Sequence, residues 1–229
     1  DRPLTNAGKF PLALRTGPMP TLLKFAAAPF GVVERHAEGP GKPALLPLTI
    51  RGVEAELNGQ ALNVGDAKAS QLRVQSDKDI IDWFIKLQQY NDWTVSRKQA
   101  AKDSKRKLPP VIDSDHMGKD QVETRVVSLL AGRDGVKTVS LPKGDGPRQM
   151  EVIGMPLDLG YHVVEVSSDL LGKALLSPDY GEQRPMVVRT GALVTNMVVH
   201  MKLGREDSLA WVTTLDKGKP VAGAQVQVS

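Results

Sequence analysis

The densest grouping of chemistry-bearing side chains in this chain is Asp113-Ser114-Asp115-His116, two carboxylates, a hydroxyl and an imidazole in succession. Such a set could hold a divalent metal or move a proton. Zinc-type sites usually bring two ligands at short spacing, however, and the other histidines, His36, His162 and His200, lie far off in sequence. A polar loop that follows a proline pair and precedes a strand is also rich in Asp and Ser for turn reasons alone. His162 and His200 each sit in a strand-like run beside apolar neighbours, a pattern that fits partly buried histidines at least as well as catalytic bases. Gly-Lys pairs begin at Gly8, Gly41, Gly118, Gly172 and Gly218, and none is followed by the Ser or Thr that a phosphate loop requires. The G-x-G-x-x-G, H-E-x-x-H and G-x-S-x-G patterns are missing. A Ser-His-Asp triad assembles from distant residues, so spacing does not exclude one, but nothing points to one. The expectation is a protein that is not an enzyme, with no catalytic, cofactor-binding or metal-ligating residue assigned and no cofactor.

The formal charge of +4 raises nucleic acid as a partner. Much of the excess sits in one cluster, Arg97, Lys98, Lys102, Lys105, Arg106 and Lys107. A nucleic-acid surface would interleave base-stacking aromatics with these cations, whereas Tyr90 and Trp93 are spaced as for helix packing. No nucleic-acid partner is expected. A solvated basic helix is the simplest reading, and a docking site for an acidic partner is the next. With zero Cys no disulfide framework is available, which fits a reducing compartment or an envelope protein that never needed one. No apolar run approaches the roughly 20 residues that span a bilayer. Only 4% of the 229 residues are aromatic, so Val, Leu, Ile and Met must fill the core of the one or two domains this length suggests.

The elements that would position these residues are mostly short strands. Residues 1–20, rich in Pro and Gly, read as the end of a preceding domain and a linker, with a strand candidate at Phe10–Leu14. Strands are expected at Phe25–Glu34, Leu45–Val53 and Gln71–Gln75, with a turn at Glu38–Pro43 and a polar loop at Asn58–Ala69. The period then changes from 2 to 3.6. Ser76 is the expected N-cap of an amphipathic helix, with Asp77 and Asp79 at its positive end and a broad apolar side of Ile80, Phe84 and Leu87 flanked by Ile81, Trp83 and Tyr90. A second helix is expected at Trp93–Lys105, capped near Asn91 or Asp92 and ending before Pro109-Pro110. Trp83 and Trp93 read as packing anchors of this helical insertion, about 76–107, with a carbohydrate or ligand platform as the alternative.

Beyond the loop Asp113–Asp120, strands are expected at Val122–Leu130, Val136–Leu141, Glu151–Ile153, Tyr161–Val166 and Met186–Arg189, separated by turns such as Gly132–Gly135 and Lys143–Pro147. Frequent turns with little helix between strands argue for an antiparallel β-sandwich over residues 21–190. Leu193–Leu203, with Leu193, Met197, Val199, Met201 and Leu203 on one face, would then open a following unit, 191–229, with the boundary near Thr190-Gly191. The last stretch, LAWVTTLDKGKPVAGAQVQVS (Leu209–Ser229), reads as a hairpin turning at Asp216–Lys219, with Leu209, Trp211, Thr213 and Leu215 on one face. The second strand lacks obvious partners for its apolar face, as in a piece of something longer.

That terminal pattern, together with LLKFAAAPFGVVE (Leu22–Glu34), LGYHVVEVSS (Leu159–Ser168) and VRTGALVTNMVVHMKLGREDSLAWVTT (Val188–Thr214), resembles the bacterial α2-macroglobulin family, large cell-envelope proteins of Gram-negative bacteria. The resemblance runs along most of the chain. It implies mainly β architecture made of macroglobulin-like domains, sandwiches of the immunoglobulin or fibronectin kind, with one helical insertion. It also implies a structural segment of a broad-spectrum protease inhibitor, one that rearranges around a protease after cleavage of an exposed bait segment. The implied partners are proteases, met through the full-length parent, and the implied location is the periplasm or cell envelope, with the parent anchored to a membrane or not. Many members capture their target through a Cys-x-x-Gln thioester, and this chain has no Cys and no defensible bait segment. The alternative is a binding or adhesion module of an envelope protein, with cell-wall or envelope proteins as partners and the basic insertion as the contact.

Overall fold

A computed structural model describes residues 8, 21–35, 43–51, 56–57, 60–61, 68–112, 117–139, 141, 151–180 and 184–228. Among these the protein is mainly β. In chain order the elements are β1 (Leu22–Phe25), β2 (Phe30–Glu34), β3 (Ala44–Arg51), β4 (Glu56–Leu57), β5 (Gln60–Ala61), β6 (Lys68–Val74), α1 (Asp77–Gln89), β7 (Thr94–Ser96), α2 (Arg97–Asp103), β8 (Gln121–Glu123), β9 (Lys137–Val139), β10 (Glu151–Leu157), β11 (Gly160–Ser168), α3 (Asp169–Leu175), β12 (Met186–Thr195), β13 (Met197–Leu203) and β14 (Ser208–Thr214). Single 3₁₀ turns follow β8, at Thr124–Val126, and α3, at Pro178–Tyr180. The strand candidate Phe10–Leu14, the turns around Glu38 and Lys143–Pro147, and the Asp113–His116 group lie outside the described residues.

Two sheets share the apolar core. One has three antiparallel strands in the order β1-β3-β10, and the other has five in the order β2-β12-β11-β6-β9. The pairing is antiparallel except between β2 and β12, which run parallel. β3 shows the alternation its sequence dictates, with Ala44, Leu46, Leu48 and Ile50 buried and Leu45 and Pro47 turned out. The single strand expected at Phe25–Glu34 is two strands in different sheets. A cis Ala28-Pro29 bond lies between β1 and β2, where the missing N–H and fixed φ of proline break a continuous ladder. Inside the polar loop expected at Asn58–Ala69, β5 pairs with β4 and β6 begins.

β11 and β12 form the centre. Alternation predicted one dry face for Tyr161–Val166, but His162, Val163, Val164, Glu165 and Val166 are all buried. Both faces are covered because the insertion lies across one of them. α1 packs against β12, and the close approach requires Gly191, where an added Cβ would meet the Tyr161 hydroxyl at 2.7 Å and Leu87 at 2.8 Å. The strand expected to close at Arg189 continues unbroken through Thr190 and Gly191 to Thr195, held by β11 on one side and β2 on the other. The expected domain boundary thus falls in mid-strand, and the change of sheet comes at Asn196.

α1 starts as read from sequence: the Ser76 hydroxyl accepts from the Asp79 N–H at 3.1 Å, with Asp77 and Asp79 in the first turn. Its buried side is narrower than expected. Trp83 and Leu87 are buried, whereas Ile81, Phe84 and Ile85 are 40–50% exposed. The second helix is shorter and later than expected. Trp93 precedes β7, which pairs with β8, and α2 is capped by Ser96 accepting from the Gln99 N–H. Trp93 is 56% exposed, so it is no packing anchor. Of the strand expected at Val122–Leu130 only the first residues are extended, and Val126, Val127, Leu129 and Leu130 are buried in a 3₁₀ turn and irregular chain. α3 was not foreseen. It is capped by Ser168 accepting from the Leu171 N–H, and Gly172 lets it lie against the Arg184 carbonyl, 1.9 Å from where a Cβ would stand.

The hairpin of the C-terminal region is β13–β14, turning at residues 204–207, and Thr213 bridges to Pro220 after the Asp216–Lys219 turn. Residues 224–228 are not a strand, which corrects the expected Leu209–Ser229 hairpin. Met197, Val199, Met201 and Leu203 do share one face, and all four are about half exposed or more. On β14 it is Val212 and Thr213 that are buried, while Leu209 and Trp211 are exposed.

Candidate functional site

The buried charges are the first place to look for chemistry. Glu165, in the middle of β11, and Arg189, opposite it on β12, form an ion pair at 3.2 Å with both side chains buried. Desolvating two charges costs several kcal/mol each unless hydrogen bonds complete their shells. Here they do. Glu165 accepts from the Leu129 N–H at 2.8 Å, the Leu130 N–H at 3.1 Å and the Ser128 hydroxyl at 2.7 Å. Arg189 donates to the carbonyls of Tyr90 at 3.2 Å, Thr124 at 2.9 Å and Val127 at 2.5 Å. The pair thereby supplies partners to irregular backbone at 124–130 and to the end of α1. Its role is to bolt the end of α1 and the chain at 124–130 to the sheet.

A second node lies inside the insertion. Asp103, buried at the end of α2, accepts from Gln99 at 2.7 Å and from the Tyr90 hydroxyl at 3.2 Å, and pairs with Lys86 of α1 at 3.1 Å. Burial, with the Asp103 carboxylate next in importance, raises the pKa of the Tyr90 phenol well above its ordinary value. Two cations lie over the Trp83 ring, Lys86 at 4.9 Å and Arg133 at 5.2 Å from its centre. Arg133 is itself fixed, donating to the carbonyls of Leu129 and Asp103.

His162 is fully buried on β11. The Gln71 side-chain amide donates to its Nδ1 at 2.9 Å, so its Nε2–H must donate to the Asp158 carbonyl at 2.8 Å. Both ring nitrogens are occupied, and desolvation holds its pKa below the ordinary histidine value, aided by Arg73. His200 is exposed on β13 beside Trp211, its ring 6.5 Å from the indole. The Tyr161 hydroxyl is buried with no hydrogen-bond partner among the described residues, its ring stacked on Phe30 at 5.9 Å, and burial pushes its pKa up to about 12.

Two concavities flank the insertion. One, of about 550 Å³, is lined by Pro29, Leu87, Tyr90, Trp93, Arg125 and neighbours, and is mainly apolar. The other, of about 480 Å³, lies where β6, β9, β11 and the start of β12 meet the chain following α2. Its wall carries Lys68, Arg106, Lys107 and Arg184, and aliphatic side chains including Leu108, Val126, Leu130 and Val136 line it between them. Glu165 and Arg133 also reach it but are committed to the partners described above.

The basic cluster read from sequence divides in two. Arg106 and Lys107 border the second cavity, whereas Arg97 donates to the Pro109 carbonyl at 2.7 Å and holds the proline turn. Glu165, Arg189 and Asp103 were not singled out in sequence. The signal for the first two was present, a lone charge inside each of the apolar runs HVVEVSS and MVVRTGA. Among the described residues no three or more His, Cys, Asp or Glu side chains group as a metal site, and no helix is long and apolar enough to cross a membrane. Compared with known proteins, the chain matches no family model, no curated protein and no solved structure.

Proposed function

We propose that this chain is a structural segment of a large bacterial α2-macroglobulin-like protease inhibitor of the cell envelope, built of macroglobulin-like β-sandwich units, with the bait and any capture chemistry outside it. The observation that carries the reading is where the family-like stretches fall. Leu22–Glu34 supplies β1 and β2, Leu159–Ser168 supplies β11, and Val188–Thr214 supplies most of β12 with β13 and β14. Of the five-stranded sheet, β2, β12 and β11 are consecutive neighbours, so the resemblance follows the framework and not isolated turns. The buried ionisable groups also spend their hydrogen bonds on the fold, as befits a part that transmits or resists rearrangement. Without Cys, this stretch would take part in trapping by shape alone.

The test uses the natural protein that carries this segment, incubated with elastase and with a metalloprotease. The expected result is a protease that co-elutes with the cleaved protein, loses activity on a large protein substrate and keeps it on a small peptide substrate. Free protease with unchanged activity on both substrates would overturn the reading. A denaturant-stable protease adduct mapped to this segment would also contradict it. The alternative, a binding module of a multidomain envelope protein, is favoured by one observation, the cation-bordered cavity beside the insertion.

A further inference from the structure

The 480 Å³ cavity gathers cations from separate parts of the chain: Lys68 from the start of β6, Arg106 and Lys107 from beyond α2, and Arg184 from the approach to β12. Elsewhere the fold neutralises cations locally, as in Lys78–Asp82, Lys86–Asp103 and Arg125–Glu123. None of the four has a carboxylate partner among the described residues; Arg184 spends only its Nε, on the Tyr180 carbonyl. Among the described lining residues Asp169 is the one carboxylate that is not already saturated, so they are left with a positive excess. Like charges around one concavity repel, and low-dielectric walls strengthen their field, so the arrangement gains from an incoming anion.

The rest of the lining decides which anion. Among the described residues no aromatic side chain lines the cavity, which removes the stacking surface that a nucleobase or a sugar ring would use. Between the cations lie the partly exposed aliphatic side chains of Leu108 and Val136. Acidic and aliphatic side chains taking turns at positions i, i+2 and i+4 of an extended peptide share one face and match this surface. We propose that this cavity is a docking site for an acidic, aliphatic peptide segment of a partner protein. Its carboxylates meet Lys68, Arg106, Lys107 and Arg184, and its aliphatic side chains sit on Leu108 and Val136. This inference stands apart from the protease-inhibitor reading and survives its failure.

The probe is a fluorescein-labelled octapeptide, Glu-Ser-Leu-Ser-Glu-Ser-Leu-Ser, which carries its acids and leucines on one face when extended, titrated with the 229-residue chain and followed by anisotropy. Saturable binding is expected, weakening as salt rises from about 50 to about 300 mM. Replacing Arg106→Glu with Lys107→Glu should lower affinity by about tenfold or more, and Lys68→Glu should lower it measurably, with the thermal midpoint unchanged. Lys98→Glu with Lys102→Glu, an equal charge change on α2 away from the cavity, should leave affinity within about twofold. Absence of saturable binding would overturn the proposal. So would an equal loss from the α2 reversal, which would mean diffuse attraction, or a single-stranded oligonucleotide binding as tightly as the peptide, which would mean a general polyanion surface.

Discussion

Arg189 and Glu165 face each other across two strands, yet most of their partners are backbone groups of the irregular chain at 124–130. Removing one member of a buried ion pair typically costs about 3–5 kcal/mol, so Arg189→Met should destabilise by about that much in urea unfolding. In many proteins an apolar replacement of both members restores stability. Here Arg189→Met with Glu165→Leu should not, because the carbonyls of Thr124 and Val127 and the N–H groups of Leu129 and Leu130 would be left unpaired. Tyr161→Phe has the opposite sign: its hydroxyl is buried without a partner among the described residues, so the change should be neutral or stabilising by up to about 1 kcal/mol in the same measurement. His162 should give the fold a pH dependence. Its folded pKa is depressed, so below the unfolded value of about 6.5 the unfolded chain binds a proton that the folded chain refuses. Its contribution is complete above that value and is lost as pH falls toward the folded pKa. Urea unfolding at pH 7.5 and 5.5 should show a smaller loss for His162→Gln than for the unchanged chain. Of these residues only His162 was legible in sequence, as a packed histidine. The ion pair was hidden because a charge within an apolar run reveals nothing of its partner a strand away.

The helix α1 was legible because its determinants are local: a Ser76 cap, acids in the first turn and a 3.6 period. Which side of it is dry was not, since that depends on β12 beneath it. Trp83→Ala should cost about 3–5 kcal/mol as a buried aromatic with two cations on its ring. Phe84→Ala should cost clearly less, because its ring is 40% exposed and meets Phe30 edge-on at 5.5 Å. Equal costs in thermal unfolding would contradict this burial. Trp93 was misread for the same reason: β7 exists only because β8, far along the chain, pairs with it. Periodicity cannot report such a partner. The helix α3 was legible in Ser168-Asp169, a cap and an acid at the right spacing, but the strong strand pattern just before it masked the change of period.

At the scale of the molecule, the mainly β character followed from alternation and turn residues, while the division into sheets did not. Sequence marks a strand but not its neighbours, so β12 was cut at Thr190-Gly191, where a turn-like glycine in fact serves close packing under α1. Protection from hydrogen exchange should follow the sheets. Amides of Tyr161–Val166, paired on both sides, should exchange slowest, and those of Ala224–Val228, outside any strand, fastest, with β14 between them. Slow exchange at Ala224–Val228 in dilute chain would contradict this order. The unbroken run of β12 also has a mechanical meaning. A pull transmitted from β13 through Asn196 acts along the axis of a strand clamped on both sides, so its ladders to β11 and β2 are loaded together in shear and not opened one bond at a time. The β13–β14 hairpin, whose two open ends lie side by side at Met197 and Thr214, is loaded so that it unzips. A stretched molecule should therefore give way first at the hairpin, at low force, and hold at β12 until a much larger one, acting as a fuse in series with an anchor.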